Sequence, residues 1–253
     1  MNDSVCDSTG GILDDLKRMG RAAEKSVIAA VDSLITMDRE LAHEVIRSDD
    51  EVDTLEIELE QACIEYSECP ALSESDRRAI VTILKVTTEF ERVADHATDI
   101  AEIALRLTEG DKAVMGPTDH IVKLTALTAT MLKDALKAFF TGDAELARDV
   151  ILADTAVDET YELMYRDQIV YVAKGHGIEK TEDAIDLLLV ARYLERIADH
   201  ATNVAEYCIF MVTGERVAHQ TLAPYPKRKR VTDPQAERSF GLLERLFGSR
   251  RDT

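Results

Sequence analysis

Four pairs of carboxylates spaced by four residues stand out: Asp49 with Asp53, Glu91 with Asp95, Asp154 with Asp158, and Glu195 with Asp199. On a helix, residues four apart differ by about 40° around the axis and about 6 Å along it, so each pair converges on one face. Like charges held that closely destabilise a helix unless something offsets them. A hard cation does so, and oxygen-only ligands suit Mg, Mn, Ca or iron rather than zinc or copper. An isolated Asp-x-x-x-Asp is most simply a solvated face. Here both kinds of pair occur twice, in parallel, and solvation alone does not demand the same acid at the same place. The residues leave a cation site and a solvated face as the two readings. Asp99, Glu102, Asn203 and Glu206 extend the stripes and form a second tier of metal candidates.

The neighbours of these acids have other expected roles. Arg92 and Arg196 lie about 100° away from Glu91 and Glu195 and should pair with another helix or a nearby acid. His96 and His200 sit beside an Asp but off its face, which favours packing or a hydrogen bond over ligation. Ala94, Ala97, Ala198 and Ala201 are small enough to let helices approach closely. No phosphate loop, dinucleotide fingerprint or nucleophile elbow occurs. Glu40 and His43 have the Glu-x-x-His spacing of a di-iron bundle, but the second half offers Glu145 with Arg148, so the required pair is missing. Without a nucleophile–base pair there is no positive case for an enzyme.

The elements that carry these residues read as helices. Val86, Phe90, Val93, Ala97, Ile100, Ala104 and Leu107 follow a three-or-four period, as do Ile121, Leu124, Leu127, Met131, Ala135 and Phe139. No convincing period-two strand occurs, so the expected fold is all-α. Ser73, ahead of Glu74 and Asp76, marks the start of one long helix, and Gly110 its end. Thr181, ahead of Glu182 and Asp183, marks the start of another, which ends at Gly214.

The chain also repeats itself. Glu91-Arg-Val-Ala-Asp-His-Ala-Thr-Asp-Ile-Ala-Glu102 returns as Glu195-Arg-Ile-Ala-Asp-His-Ala-Thr-Asn-Val-Ala-Glu206, identical at nine of twelve positions. Asp49 and Asp53 return as Asp154 and Asp158, one residue out of step with that match. The expected organisation is an arm over 1–11, repeats over 12–110 and 117–214, and a tail over 215–253. Each repeat should hold three long helices and a short one, arranged as a three-helix bundle.

Charge is unevenly spread. The chain carries 49 acidic and 30 basic residues, a net of −19. Residues 224–253 have a net of +4, which leaves −23 for the rest. That balance argues against nucleic acid as a partner. Cys6, Cys63, Cys69 and Cys208 form no CxxC pair and read as thiols in a reducing compartment. With no basic and apolar leader at the N-terminus and no apolar run near 18 residues, a cytoplasmic location is expected. Lys227-Arg-Lys-Arg230 precedes an amphipathic stretch with Phe240, Leu242, Leu243, Leu246 and Phe247. It reads as a tail packed on the body or as a peripheral docking element for an anionic membrane or a partner.

The duplicated Glu-Arg-[Val/Ile]-Ala-Asp-His-Ala-Thr motif, with Arg192-Tyr193-Leu194 ahead of its second copy, closely resembles the signature of the PhoU family of phosphate uptake regulators. The resemblance covers both repeats, about 12–214, and leaves out the tail. It implies two tandem three-helix bundles related by a pseudo-twofold axis. It further implies metal clusters held by Asp49, Asp53, Glu91 and Asp95 in one bundle, and by Asp154, Asp158, Glu195 and Asp199 in the other, with Mg, Mn, Fe or Zn as the metal. Such proteins are cytoplasmic, often homodimeric and without established catalysis. They link the ATPase subunit of a phosphate ABC transporter to a sensor histidine kinase, as negative regulators when phosphate is plentiful. The chain departs from the family's pattern at Ala94 and Ala198, where Gly is frequent, and at Asp99, where Asn is usual. The rival readings are a carboxylate-cluster metal-dependent hydrolase or oxidase, and a PhoU-like regulator of a different ion transporter.

Overall fold

The computed structural model describes residues 9–70, 72–108, 119–175 and 177–217. Six helices follow one another: α1 (Thr9–Thr36), α2 (Arg39–Ser67), α3 (Glu74–Leu107), α4 (Asp119–Thr141), α5 (Ala144–Ala173) and α6 (Ile178–Thr213). There is no strand among the described residues. Helices α1–α3 pack mutually as one bundle and α4–α6 as a second, and the two bundles join along α3 against α6 and α1 against α4. The expected all-α pair of three-helix bundles is what forms.

Local chemistry sets the helix ends. Asp38 caps α2 by accepting from the Leu41 N–H at 3.0 Å, and its counterpart Asp143 caps α5 through Glu145 and Leu146. Ser73 and Asp76 form a reciprocal capping box at the start of α3. Gly214 closes α6 in the left-handed region at φ 76°. Four expectations differ from what forms. Helix α6 begins at Ile178, ahead of Thr181, because Gly177 at φ 92° turns the chain directly into it; the Thr181 hydroxyl instead donates to the Gly177 carbonyl. Helix α3 ends at Leu107, and Gly110 lies outside the described residues. No short fourth helix appears among the described residues of either repeat, since the α2–α3 connector is only a few residues long and contains Pro70. Helix α1 already runs from Thr9, within the stretch read as an arm.

The core is continuous through both bundles and includes Phe90, Phe139, Leu16, Leu55, Ile100 and Leu124, all fully buried. Ala94, Ala97, Ala198 and Ala201 are buried as well, as their small size implied. Helices α3 and α6 run antiparallel. Arg78 lies near Phe210 at one end of the seam, and Arg106 pairs with Asp186 at 3.1 Å at the other. Where α1 meets α4, Gly20 permits a close approach: a Cβ there would overlap Leu136 Cδ2 and press on Phe90.

Cys63 and Cys208 are buried free thiols, pushed up to about 11 and about 12 by burial. Cys69 corrects the expectation of free thiols throughout, because it is disulfide-bonded. No helix among the described residues is long and apolar enough to cross a membrane. The amphipathic segment over 240–247 lies outside the described residues.

Candidate metal-binding carboxylate arrays

Each pair of Asp residues on the second helix of a bundle comes to face the Glu-x-x-x-Asp pair on the third. In the first bundle, Asp49 is pushed up to about 6, first by burial and then by the negative charges of Asp53 on its own helix and Asp95 on α3. The nearby Thr98 hydroxyl pulls the other way. Glu91 is pushed up to about 7, again first by burial and then by the negative charge of Asp95, while Arg92 opposes the rise. In the second bundle, burial and then Asp199 raise Glu195, with Asp158 and Asp154 adding to the rise and Arg192 opposing it. Burial and then Asp158 raise Asp199, opposed by Arg192, His200 and Arg196. All eight first-tier residues thus lie in two crowded arrays, one per bundle.

Two atoms decide how well these arrays suit a cation. Glu91 Oε2 and Glu195 Oε2, at equivalent places in the two repeats, are both buried and both without a hydrogen-bond partner. Arg92 Nε is 3.2 Å from the first, an ion-pair distance without hydrogen-bond alignment. A buried carboxylate oxygen that no hydrogen bond satisfies is costly, and both positions, one already met by an arginine charge, favour a positive neighbour. Asp154, only 4% exposed, adds a nearly buried carboxylate to the second array. The donor set is all oxygen, as a hard cation requires. Among the described residues, no three histidine, cysteine, aspartate or glutamate side chains stand close enough to hold an ion without rearrangement.

The arginines answer the acids locally. Arg92 pairs with Glu91 and with Asp95 at 3.1 Å, the neighbouring-acid role expected of it. In the second bundle the equivalent pairing comes from a different residue: Arg192 donates to Glu195 at 2.6 Å and stands over the Tyr161 ring. Arg196, the sequence counterpart of Arg92, acts on Asp199 and on the seam.

The second tier separates from the arrays. Asp99 and Asn203 lie on the seam between the bundles, where Asp99 is 3.3 Å from His96 Nδ1 and Asn203 donates to Glu89. Glu102 is exposed, with its charge felt by Tyr193, and Glu206 is half-buried beside Tyr207. His96 and His200 hold hydrogen bonds there, as expected, with ring centroids 5.6 Å apart.

Sequence reasoning missed Glu56, which burial and then Glu60 and Asp53 raise, and which feels Asp95 as well. Continuing the stripe from Asp49 and Asp53 by one turn reaches it. Its counterpart in the second repeat is Tyr161, so a search for duplicated acids passes it over. Arg192, opposite Thr88 in the alignment of the repeats, escaped in the same way.

Comparison with known proteins agrees with this architecture. The PhoU domain matches twice, over residues 16–104 and 121–208, so it takes in both arrays. A phosphate-specific transport system accessory protein PhoU homolog of Caulobacter vibrioides is 36% identical over 207 residues, covering 81% of this chain and 88% of that protein. The crystal structure of PhoU from Pseudomonas aeruginosa superposes with a TM-score of 0.77 at 31% identity, covering 81% of this chain and 97% of the other. A phosphate transport system regulatory protein PhoU from Streptococcus pneumoniae shares the fold, with a TM-score of 0.73 at 24% identity. Two matching domains and relatives above 30% identity over most of both lengths settle the assignment: this chain belongs to the PhoU family.

Proposed function

We propose that the protein regulates phosphate uptake as a non-catalytic cytoplasmic adaptor. It would join the ATPase subunit of a phosphate ABC transporter to a sensor histidine kinase and restrain signalling when phosphate is plentiful. The observation that carries this reading is that the two carboxylate arrays fall one in each PhoU domain, each with a buried glutamate oxygen that no hydrogen bond satisfies.

Asp49, Asp53, Glu91 and Asp95 would hold cations on one bundle, and Asp154, Asp158, Glu195 and Asp199 on the other. A bound cation supplies positive charge that cross-links two helices and neutralises the array. The residues themselves do the rest: Arg92 and Arg192 anchor the two glutamates from the side, and α2–α3 and α5–α6 packing sets how far apart the acids stand.

The outer faces of the halves differ, which suits an adaptor meeting two different proteins. Helix α5 exposes Leu152, Leu163 and Val170 on one stripe, where α2 has Arg47, Glu58 and Glu65. The test is genetic. Deleting the gene in its host should release phosphate-starvation genes from repression in phosphate-rich medium, and the wild-type chain should restore it. Unchanged expression after deletion would refute the phosphate assignment and favour a different transporter.

A further inference from the structure

A cavity of about 340 Å³ opens on the seam between α1 and α4, well away from the carboxylate arrays in sequence. Its walls carry four cations: Lys17 and Arg21 from α1, and Lys133 and Lys137 from α4. The chain holds only 22 basic residues ahead of its basic tail, within a stretch of net charge −23, so four in one hollow is a marked local reversal. Among the described residues, the only acid in the lining is Glu24.

The spacing repeats, in positive charge, the situation of the acidic arrays. Lys17 with Arg21 and Lys133 with Lys137 are like-charged pairs four residues apart, which cost helix stability unless an opposite charge answers them. None of the four is in an ion pair among the described residues. Arg21, Lys133 and Lys137 are exposed, and Lys17 is half-buried with its ammonium 5.9 Å from the Phe140 ring centroid. Leu136 and Phe140 add an apolar patch between the cations.

We infer that this cavity binds a phosphorylated small molecule of nucleotide size. Lysine ammonium groups act as point charges for phosphate oxygens, and an arginine fork adds directional bonds. A bare phosphate ion would leave most of the volume empty, whereas the size is that of a small-ligand pocket. Leu136 and Phe140 offer apolar surface to a base or sugar, and Glu24 offers an acceptor for a sugar hydroxyl or base amine. A second hollow of about 310 Å³ shares Arg21 and Glu24 and continues past Lys25, so a longer ligand has room along α1. Because both walls are needed, occupancy would tie one bundle to the other.

The test is calorimetric titration of the full chain with ADP in metal-free, low-salt buffer, beside adenosine and inorganic phosphate. Metal-free buffer keeps the carboxylate arrays out of the measurement. ADP should bind at least about tenfold more tightly than either fragment, and added salt should weaken it. The K133E/K137E variant should lose about tenfold or more in affinity, and Lys17→Glu on the opposite wall should also weaken binding. Lys133 and Lys137 are exposed and Lys17 is half-buried on the cavity wall, so circular dichroism should show an unchanged helix content. Equal ADP affinity in wild type and both variants would overturn the proposal. So would phosphate binding as tightly as ADP. Tight binding of a poly-glutamate peptide together with no ADP binding would assign the surface to an acidic protein segment instead.

Discussion

His200 Nδ1 lies 2.7 Å from Glu89 Oε2 across the seam between the bundles. The equivalent histidine, His96, stacks on Tyr193 at 5.4 Å, and Tyr193 occupies in the second repeat the place Glu89 has in the first. One interface position therefore uses a carboxylate on one side of the pseudo-twofold axis and an aromatic ring on the other. Asn203 also donates to Glu89 at 2.9 Å, so this carboxylate ties two α6 side chains to α3.

Glu89→Ala should therefore loosen the seam, lowering stability by about 1–3 kcal/mol because two half-buried polar partners lose their acceptor. Glu89→Gln keeps the shape and one acceptor oxygen and should cost less. Urea unfolding monitored by circular dichroism measures both, and an alanine variant as stable as wild type would contradict the role.

The crowded acids predict an unusual pH dependence. Asp49, at about 6 against an ordinary 3.8, and Glu91, at about 7 against 4.5, keep protons in the folded chain that the unfolded chain has released. Between those ordinary values and the raised ones the folded state binds more protons, so stability falls as pH rises through that window. Metal-free protein should melt at a higher temperature at pH 5 than at pH 8. Asp49→Asn should raise the melting temperature at pH 8 and narrow the difference. Equal wild-type melting temperatures at the two pH values would contradict this.

The α1–α2 turn contains Met37 at φ 60°, where the equivalent α4–α5 turn has Gly142 at φ 64°. A side chain in that left-handed region costs about 1–2 kcal/mol, part of which glycine returns as unfolded-chain entropy. Met37→Gly should raise stability by about 0.5–1 kcal/mol, and Gly142→Ala should lower it by about 1 kcal/mol. Thermal melts of the two variants should move in opposite directions.

Gly20 offers a packing test. Its missing Cβ is what lets Leu136 sit against α1 beside Phe90. Gly20→Val should cost about 1–3 kcal/mol through overpacking and should push Leu136 toward the cationic cavity. Chemical denaturation reads the cost.

Much of this was legible in the sequence because it was written twice. The helical period, the Ser73 and Gly214 ends, and all eight acids of the arrays have counterparts or local chemistry that identify them. What escaped lies where the repeats differ. Glu56 faces Tyr161 in the alignment of the halves, Arg192 faces Thr88, and Glu89 faces Tyr193, so the duplication hid each of them. The seam position of Asp99 and Asn203 depends on how two bundles meet, which helix periodicity within either one does not encode. The cationic cavity joins α1 to α4, whose lysines are about 115 residues apart in sequence.

The carboxylate arrays carry the account, and metal analysis tests them most directly. Wild-type chain and a Glu195→Ala, Asp199→Ala double variant would be loaded with Mn or Fe, dialysed, and assayed for metal per chain by mass spectrometry. The variant should lose the second array's share and keep the first, about half the wild-type content if the arrays load equally. Equal metal content in the two proteins would contradict it.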